Sequence, residues 1–277
     1  MRPAMQKSIL ITGCSSGIGE ASALGLKERG WRVFATARKR QDIDRLAGQG
    51  LDTLYLDYTE PDSIAACAEA VLSRCEGKLY ALFNNGAYGQ PGAVEDLRTE
   101  VLRAQFEANF FGWHELTRRI IPAMRAQGRG RIVQCSSCLG LVSLKYRGAY
   151  NASKFALEGL TDAMRRELAG SGIAVILIEP GPIATRFGEH ALAAYEANID
   201  LVNSPHAEIY AARIAAMRSG KPSRWRLGPE AVFHKLVKAL ESPRPRPRYF
   251  VTVPTYLLEA GRRFLTTRML DRVTGGQ

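Results

Sequence analysis

The chain lacks any apolar stretch near the roughly 20 residues that a spanning helix needs. Its start offers only Ser8–Thr12 as an apolar run, too short for a signal-peptide core and without a small-residue cleavage pattern. A cytoplasmic protein is therefore expected. Cysteine is scarce and odd in number: Cys14, Cys67, Cys75, Cys135 and Cys138, which argues against a disulfide framework. Cys135-Ser-Ser-Cys138 has metal or redox spacing, but no second pair completes four ligands, and His114, His190, His206 and His234 are scattered. No metal is expected. The 26 glycines and 13 prolines show no period, which excludes collagen-like and low-complexity classes.

What is present suits a packed domain. Of 277 residues, 46% are hydrophobic and 23% charged, enough apolar content to bury a core and exclude disorder as the main character. The net charge of +11 is uneven, because residues 221–277 carry twelve Lys/Arg against four Asp/Glu. Such a bias suits nucleic acid, an anionic membrane surface or attraction of an anionic cofactor. No nucleic-acid-binding module accompanies it, so no nucleic-acid partner is expected.

Short apolar runs alternate with helical periodicity. Strands are expected at Lys7–Thr12, Trp31–Ala37, Thr53–Leu56, Leu79–Asn84, Arg131–Ser136, Ile173–Ile178 and Arg248–Val253. Helices are expected at Gly17–Gly30, near Asp42–Ala47, at Pro61–Arg74, Glu100–Ala126 (broken at Pro122), Tyr150–Ala169 and Gly228–Leu240. This alternation predicts an α/β fold, a doubly wound, parallel seven-stranded sheet with helices on both faces. With no linker and no internal repeat, residues 1–277 are expected to form a single domain. It would carry a helical substrate lid at about 186–227, interrupted by Pro205, Gly220 and Pro222, and a C-terminal extension at about 243–277.

The first strand runs into Thr12-Gly-Cys-Ser-Ser-Gly-Ile-Gly19 and then a helix. Glycines permit a tight turn, and the helix N-terminus offers free N–H groups to a pyrophosphate. The strand–turn–helix context favours dinucleotide binding over a plain turn. After the second strand, Ala37-Arg38-Lys-Arg40 holds no acid before Asp42, where an NAD site would place one for the ribose 2′-hydroxyl. A guanidinium there can pair with a 2′-phosphate, so NADP(H) is favoured over NAD, with surface cations as the plainer alternative.

Tyr150 and Lys154 stand four residues apart on one helix face. A nearby ammonium favours phenolate and brings tyrosine closer to useful acidity; an ordinary surface pair would look the same. Ser136 and Ser137 end the fifth strand, where ligands gather in wound sheets, although two such serines are also common turn chemistry.

Taken together, these motifs resemble the short-chain dehydrogenase/reductase family over about residues 5–188. Thr12–Gly19 is similar to its glycine turn, with Gly13, Ser15, Ser16, Gly17, Ile18 and Gly19 implied at the cofactor. Asp57 matches the acid that contacts adenine, and Asn84-Asn85-Gly86-Ala87 resembles Asn-Asn-Ala-Gly with the last two residues reversed. Asn109, Ser137, Tyr150 and Lys154 match the catalytic tetrad. Pro180-Gly181-Pro-Ile183-Ala-Thr185 matches the loop that closes on nicotinamide.

The resemblance implies hydride transfer between NADP(H) and a carbonyl or alcohol, with Tyr150 as proton donor, Ser137 on the carbonyl oxygen, and Lys154 on the ribose. Asn109 would position a water. The branch resembled is that of bacterial aldehyde reductases and animal 17β-hydroxysteroid and retinol dehydrogenases. Phe187, Leu192, Tyr195, Ile199, Leu201 and Val202 offer an apolar lid with no cluster suited to an acid, so a lipophilic carbonyl is expected, an aldehyde ahead of a steroid or retinoid. A non-catalytic dinucleotide sensor is the alternative, against which a complete tetrad argues. The family also implies pairing into a homo-oligomer through the helices near 100–127 and 150–169. The tail Tyr256–Leu270 reads as a basic amphipathic helix that covers the pocket or sheet edge, or else makes weak peripheral contact with an anionic membrane.

Overall fold

The computed structural model describes residues 7–220 and 224–275; the leading residues 1–6 and Pro222 lie outside them. Seven parallel strands form one sheet: β1 (Ser8–Ile11), β2 (Arg32–Ala37), β3 (Asp52–Tyr55), β4 (Ala81–Asn84), β5 (Gly130–Cys135), β6 (Ile173–Glu179) and β7 (Arg248–Phe250). Their order is β3-β2-β1-β4-β5-β6-β7. The central strands are buried on both faces, which is why Ser8-Ile-Leu-Ile11 and Ala81-Leu-Phe-Asn84 read as continuous runs rather than alternating ones.

The helices are α1 (Gly17–Glu28), α2 (Arg40–Gly48), α3 (Pro61–Arg74), α4 (Thr99–Phe106), α5 (Gly112–Ala126), α6 (Gly148–Glu167), α7 (Phe187–Asn198), α8 (Ala207–Arg218), α9 (Glu230–Glu241), α10 (Val253–Phe264) and α11 (Thr267–Gly275). The chain leaves β1 toward β2 and β3, then returns to place β4 on the other side of β1. That reversal opens a crevice at the carboxyl ends of β1 and β4, the position where wound sheets bind ligands.

Two expectations about helices are corrected. Pro122 sits inside α5 without ending it, since only one further turn follows and a single N–H bond is lost. The interruption falls earlier, at a π-helical turn over Glu107–Phe111 that carries Asn109. The tail is likewise two helices, because Leu265 turns extended (φ −91°, ψ 146°). α10 also buries Thr255 and Glu259, while Leu257 and Phe264 are 64% and 85% exposed, so its apolar side faces outward.

The segment expected as a lid joins Ala93 in a second small core, in which Ala93, Tyr195, Ile199, Tyr210 and Ile214 pack together. No helix among the described residues is long and apolar enough to cross a membrane.

Candidate active site

The glycine turn is built by close approach. Gly13 (φ 69°) and Gly17 (φ 62°) take a backbone conformation that side chains disfavour. A Cβ on Gly13 would overlap the Cα of Gly86, one on Gly19 would overlap the Gly13 carbonyl, and one on Gly17 would sit 2.8 Å from the Thr185 methyl. The turn after β1, the loop after β4 and the loop after β6 therefore meet at one place.

Thr12 ties the first two together. Its hydroxyl accepts from the Asn85 N–H (2.9 Å), the Gly86 N–H (3.2 Å) and the Tyr58 hydroxyl (2.8 Å). Asn85 Nδ2 donates back to the Thr12 carbonyl at 3.0 Å. Thr12, Tyr58 and the Trp113 indole, which donates to Gly86 O at 2.9 Å, are supports that motif matching alone did not single out. At the start of α1, Ser16 occupies the N-cap without a side-chain cap bond, leaving first-turn N–H groups uncommitted. Uncapped donors and a cradle without Cβ atoms fit a dinucleotide diphosphate.

Arg38, at the end of β2, is 70% exposed in its side chain and lies 3.5 Å from the Asp57 carboxylate. Asp57 accepts from the Thr59 N–H and hydroxyl at 2.9 and 2.8 Å; those bonds and Arg38 hold its carboxyl below the usual range against partial burial. Arg38 follows β2 and Asp57 follows β3, so the pair stands at the carboxyl ends of neighbouring strands.

The tetrad candidates gather on the other side of the sheet centre. The helix α6 carries Tyr150, Lys154 and Glu158 at four-residue spacing, all buried. Lys154 Nζ donates to the Cys135 carbonyl at 2.8 Å and lies 4.3 Å from the centre of the Trp113 ring. Burial lowers its pKa to about 8, opposed by Cys135 and Glu158. Burial pushes the Tyr150 phenol well up, opposed by a hydrogen bond with Ser137 and by the charge of Arg147. An ammonium next door is thus not what dominates the phenol; desolvation wins.

Ser137 follows β5, and its hydroxyl accepts from the Leu139 N–H at 3.1 Å, fixing the oxygen near Tyr150. Asn109 is fully buried on the π turn, where Oδ1 accepts from Tyr88 N–H (3.2 Å) and Nδ2 donates to Tyr88 O (2.8 Å). It clamps the loop after β4 from below. The Cys135 and Cys138 thiols are held protonated by burial, Cys135 at about 11, so they stand as neutral side chains.

The loop Pro180–Thr185 is anchored from both ends. Gly181 is pressed on Thr252 and Thr255 of the C-terminal segment, and Ile183 bridges to Leu227. Phe187, just beyond it, sets its ring 5.4 Å from that of Tyr150. Of the expected apolar lid residues, Phe187 alone reaches the tetrad by a ring contact; Tyr195 and Ile199 fill the lid's own core, and Val202 is 80% exposed.

Two cavities flank the site. One of about 560 Å³ lies on the outer face of α1 beside Thr185 and touches no tetrad residue. The other, about 340 Å³, opens at the start of α6 between Tyr146, Arg147, Tyr195 and Arg213, and its lining likewise includes no tetrad residue.

The short chain dehydrogenase family model matches residues 7–196. An uncharacterized oxidoreductase, YbbO, of Escherichia coli K12 is 43% identical over 98% of this chain and 95% of its own. An NADPH-dependent 3-dehydrocapnine reductase of Ornithobacterium rhinotracheale is 31% identical over 95% and 94%, and human 17-beta-hydroxysteroid dehydrogenase type 1 is 32% identical over 88% and 77%. A short-chain dehydrogenase from Streptomyces avermitilis superposes with a TM-score of 0.80 at 28% identity, covering 99% of both chains. At 27% identity stand a short-chain dehydrogenase/reductase from Burkholderia phymatum in complex with NAD (TM-score 0.76; 99% and 96% covered) and actinorhodin polyketide ketoreductase with NADPH (0.71; 89% and 95%). The chain belongs to the short-chain dehydrogenase/reductase family and is an oxidoreductase of that family.

Proposed function

We propose that the protein reduces a lipophilic aldehyde or ketone with NADPH. The observation that carries this is the meeting of a buried Tyr150–Lys154 helix face and the Ser137 hydroxyl with a glycine turn whose donors are uncommitted. A bound reduced nicotinamide supplies the hydride; the chain supplies placement and a proton.

Tyr150, kept as neutral phenol by burial, donates its proton to the carbonyl oxygen as the alcohol forms. Ser137, oriented by the Leu139 N–H, hydrogen-bonds the same oxygen and stabilises the charge that develops there. Lys154 holds the nicotinamide ribose and returns a proton toward Tyr150. Asn109 keeps the post-β4 loop in place and positions a water beside Lys154. Gly13, Ser15, Ser16, Gly17, Ile18 and Gly19 receive the diphosphate, with Asn85 and Gly86 closing the other wall. Asp57 takes the adenine, Arg38 the 2′-phosphate, and Pro180, Gly181, Ile183 and Thr185 the nicotinamide. Residues 186–227 serve as substrate lid within a single domain. The bared Leu257 and Phe264 beside Arg262 and Arg263 support weak contact with an anionic membrane; sedimentation with anionic vesicles that Phe264→Asp leaves unchanged would refute that part.

The deciding experiment follows NADPH and NADH oxidation with medium-chain, aromatic, steroid and retinoid carbonyls, comparing wild type with Tyr150→Phe. Turnover with NADPH, lost about a thousandfold in the variant while NADPH still binds, is expected. Tight NADPH binding with no turnover on any carbonyl would leave the dinucleotide-sensor reading instead.

A further inference from the structure

The 340 Å³ cavity at the start of α6 is walled by three arginines drawn from different parts of the chain. Arg147 is the N-cap residue of α6, Arg213 lies on α8 with its guanidinium 4.5 Å from the Tyr146 ring centre, and Arg226 precedes α9. Guanidinium groups keep their charge at any physiological pH, so a largely buried one with no carboxylate partner favours an anion beside it.

The two acids that follow Pro91 in the chain are committed elsewhere. Asp96 takes hydrogen bonds from the Ser204 and Tyr210 hydroxyls, and Glu95 pairs with His206 at 2.7 Å. Among the described residues, no carboxylate pairs with Arg147, whose charge is penalised by burial and by Arg213. The Tyr195 hydroxyl, on the same wall, is buried with no hydrogen-bond partner. A cation without a counter-ion and a donor without an acceptor face one space.

No tetrad candidate lines that space, but its Arg147 wall leads along α6 to Tyr150. Arg147 stands three residues before Tyr150 on the same helix, about 5 Å along it, and its charge acts on the phenol. We propose that this cavity is an anion subsite: the carbonyl substrate carries a carboxylate, sulfonate or phosphate-type group a few bonds from its C=O, gripped by Arg147 with Arg213 and Arg226 and by the Tyr195 hydroxyl. The inference rests on the carbonyl-reductase reading and narrows its substrate to an amphiphile, a departure from the wholly apolar substrate expected from the sequence.

The test compares an ω-oxo carboxylate with its methyl ester, and the matching sulfonate and phosphonate in separate arms, using the full chain with NADPH. In wild type at least one anion exceeds the ester in kcat/KM by about tenfold or more, mostly through KM, as a charge-assisted pair gives. The ratio collapses toward one in Arg147→Gln and is partly restored in Arg147→Lys. An ester preferred or equal in wild type, or a ratio that survives Arg147→Gln, overturns the subsite. Calorimetric binding of hexanoate against hexanol, with and without NADP⁺, reads the cavity without turnover. Preference for hexanoate that Arg147→Gln abolishes supports the subsite even if no carbonyl is reduced, in which case the reductase reading is what fails. Equal binding of the two overturns the subsite whatever turnover shows. Should Arg147→Gln not fold, Arg213→Gln carries the same comparison.

Discussion

The ammonium of Lys154 rests 2.8 Å from the Cys135 carbonyl oxygen, at the last residue of β5. That bond orients a cation whose charge burial has made costly, and its pKa falls to about 8 from 10.5. The phenol beside it moves the opposite way, well above 10. The alkaline limb of kcat/KM for carbonyl reduction, which reports the free enzyme, is therefore expected near pH 8 and belongs to Lys154. In Lys154→Arg the residual activity should lose that limb or carry it up by more than one pH unit. A limb that stays in place would assign it to another group.

Arg38 and Asp57 are expected to set cofactor choice. In this structure the exposed guanidinium leans on a carboxylate 3.5 Å away, a weak surface pair that a 2′-phosphate can outcompete with a bidentate bond. Arg38→Ala should lower kcat/KM for NADPH about ten- to a hundredfold relative to NADH, the worth of a charge-assisted pair. The NADPH advantage of wild type should also shrink with added salt. An unchanged NADPH:NADH ratio in Arg38→Ala would place the selectivity elsewhere.

The reversed Gly86-Ala87 pair has a local explanation. A Cβ on Gly86 would stand 3.2 Å from the Gly13 Cα and 3.3 Å from its nitrogen, a squeeze that a few tenths of an ångström relieves. A Cβ on Gly19 would instead collide with the Gly13 carbonyl itself. Gly86→Ala should thus cost about 1–3 kcal/mol and weaken NADPH binding only severalfold. Gly19→Ala should abolish binding, seen by titration of NADPH fluorescence. Equal effects of the two would mean that the glycine turn is not the diphosphate cradle.

The sheet and the tetrad candidates were legible because their signals are local. A parallel strand buried on both faces must be a continuous apolar run, and a turn with positive φ must hold glycine. Helix spacing put Tyr150 and Lys154 on one face and the strand end offered Ser136 or Ser137, while the choice of Ser137 and the finding of Asn109 came from the family resemblance. The segment expected as a lid was harder, since Ile199 looks like pocket wall but fills a second small core, and Tyr195 serves both that core and the wall of the smaller cavity. The tail misled for a related reason: amphipathicity shows that a helix has two sides, not which one is buried, and α10 docks by Thr255 and Glu259. The arginine-lined cavity was invisible because Arg147, Arg213 and Arg226 converge only through tertiary packing.

Behind Lys154, Glu158 and Glu179 are buried around Arg248, with Asp162 completing the group. Arg248 Nη1 donates to Glu179 at 2.7 Å and to Glu158, while Nη2 donates to Asp162 at 2.8 Å. Burial nevertheless pushes the Glu158 and Glu179 carboxyls up, with Glu158 adding to the rise of Glu179 and Asp162 to that of Glu158. The sign for stability follows. Where a folded acid binds its proton more tightly than the unfolded chain does, stability is highest below the unfolded pKa of 4.5 and is lost as pH rises through the folded one. Asp162 works against this, since its carboxyl is lowered. The thermal midpoint is expected to fall between about pH 5 and 8 by an amount that Glu179→Gln abolishes. Arg248→Met should cost about 3–5 kcal/mol at neutral pH by leaving buried carboxylates without their cation, and less at pH 5, where Glu179 holds its proton more fully. Denaturant unfolding of the three proteins at both pH values checks this, and a penalty for Arg248→Met that is larger at pH 5 would reverse the sign assigned to Glu179.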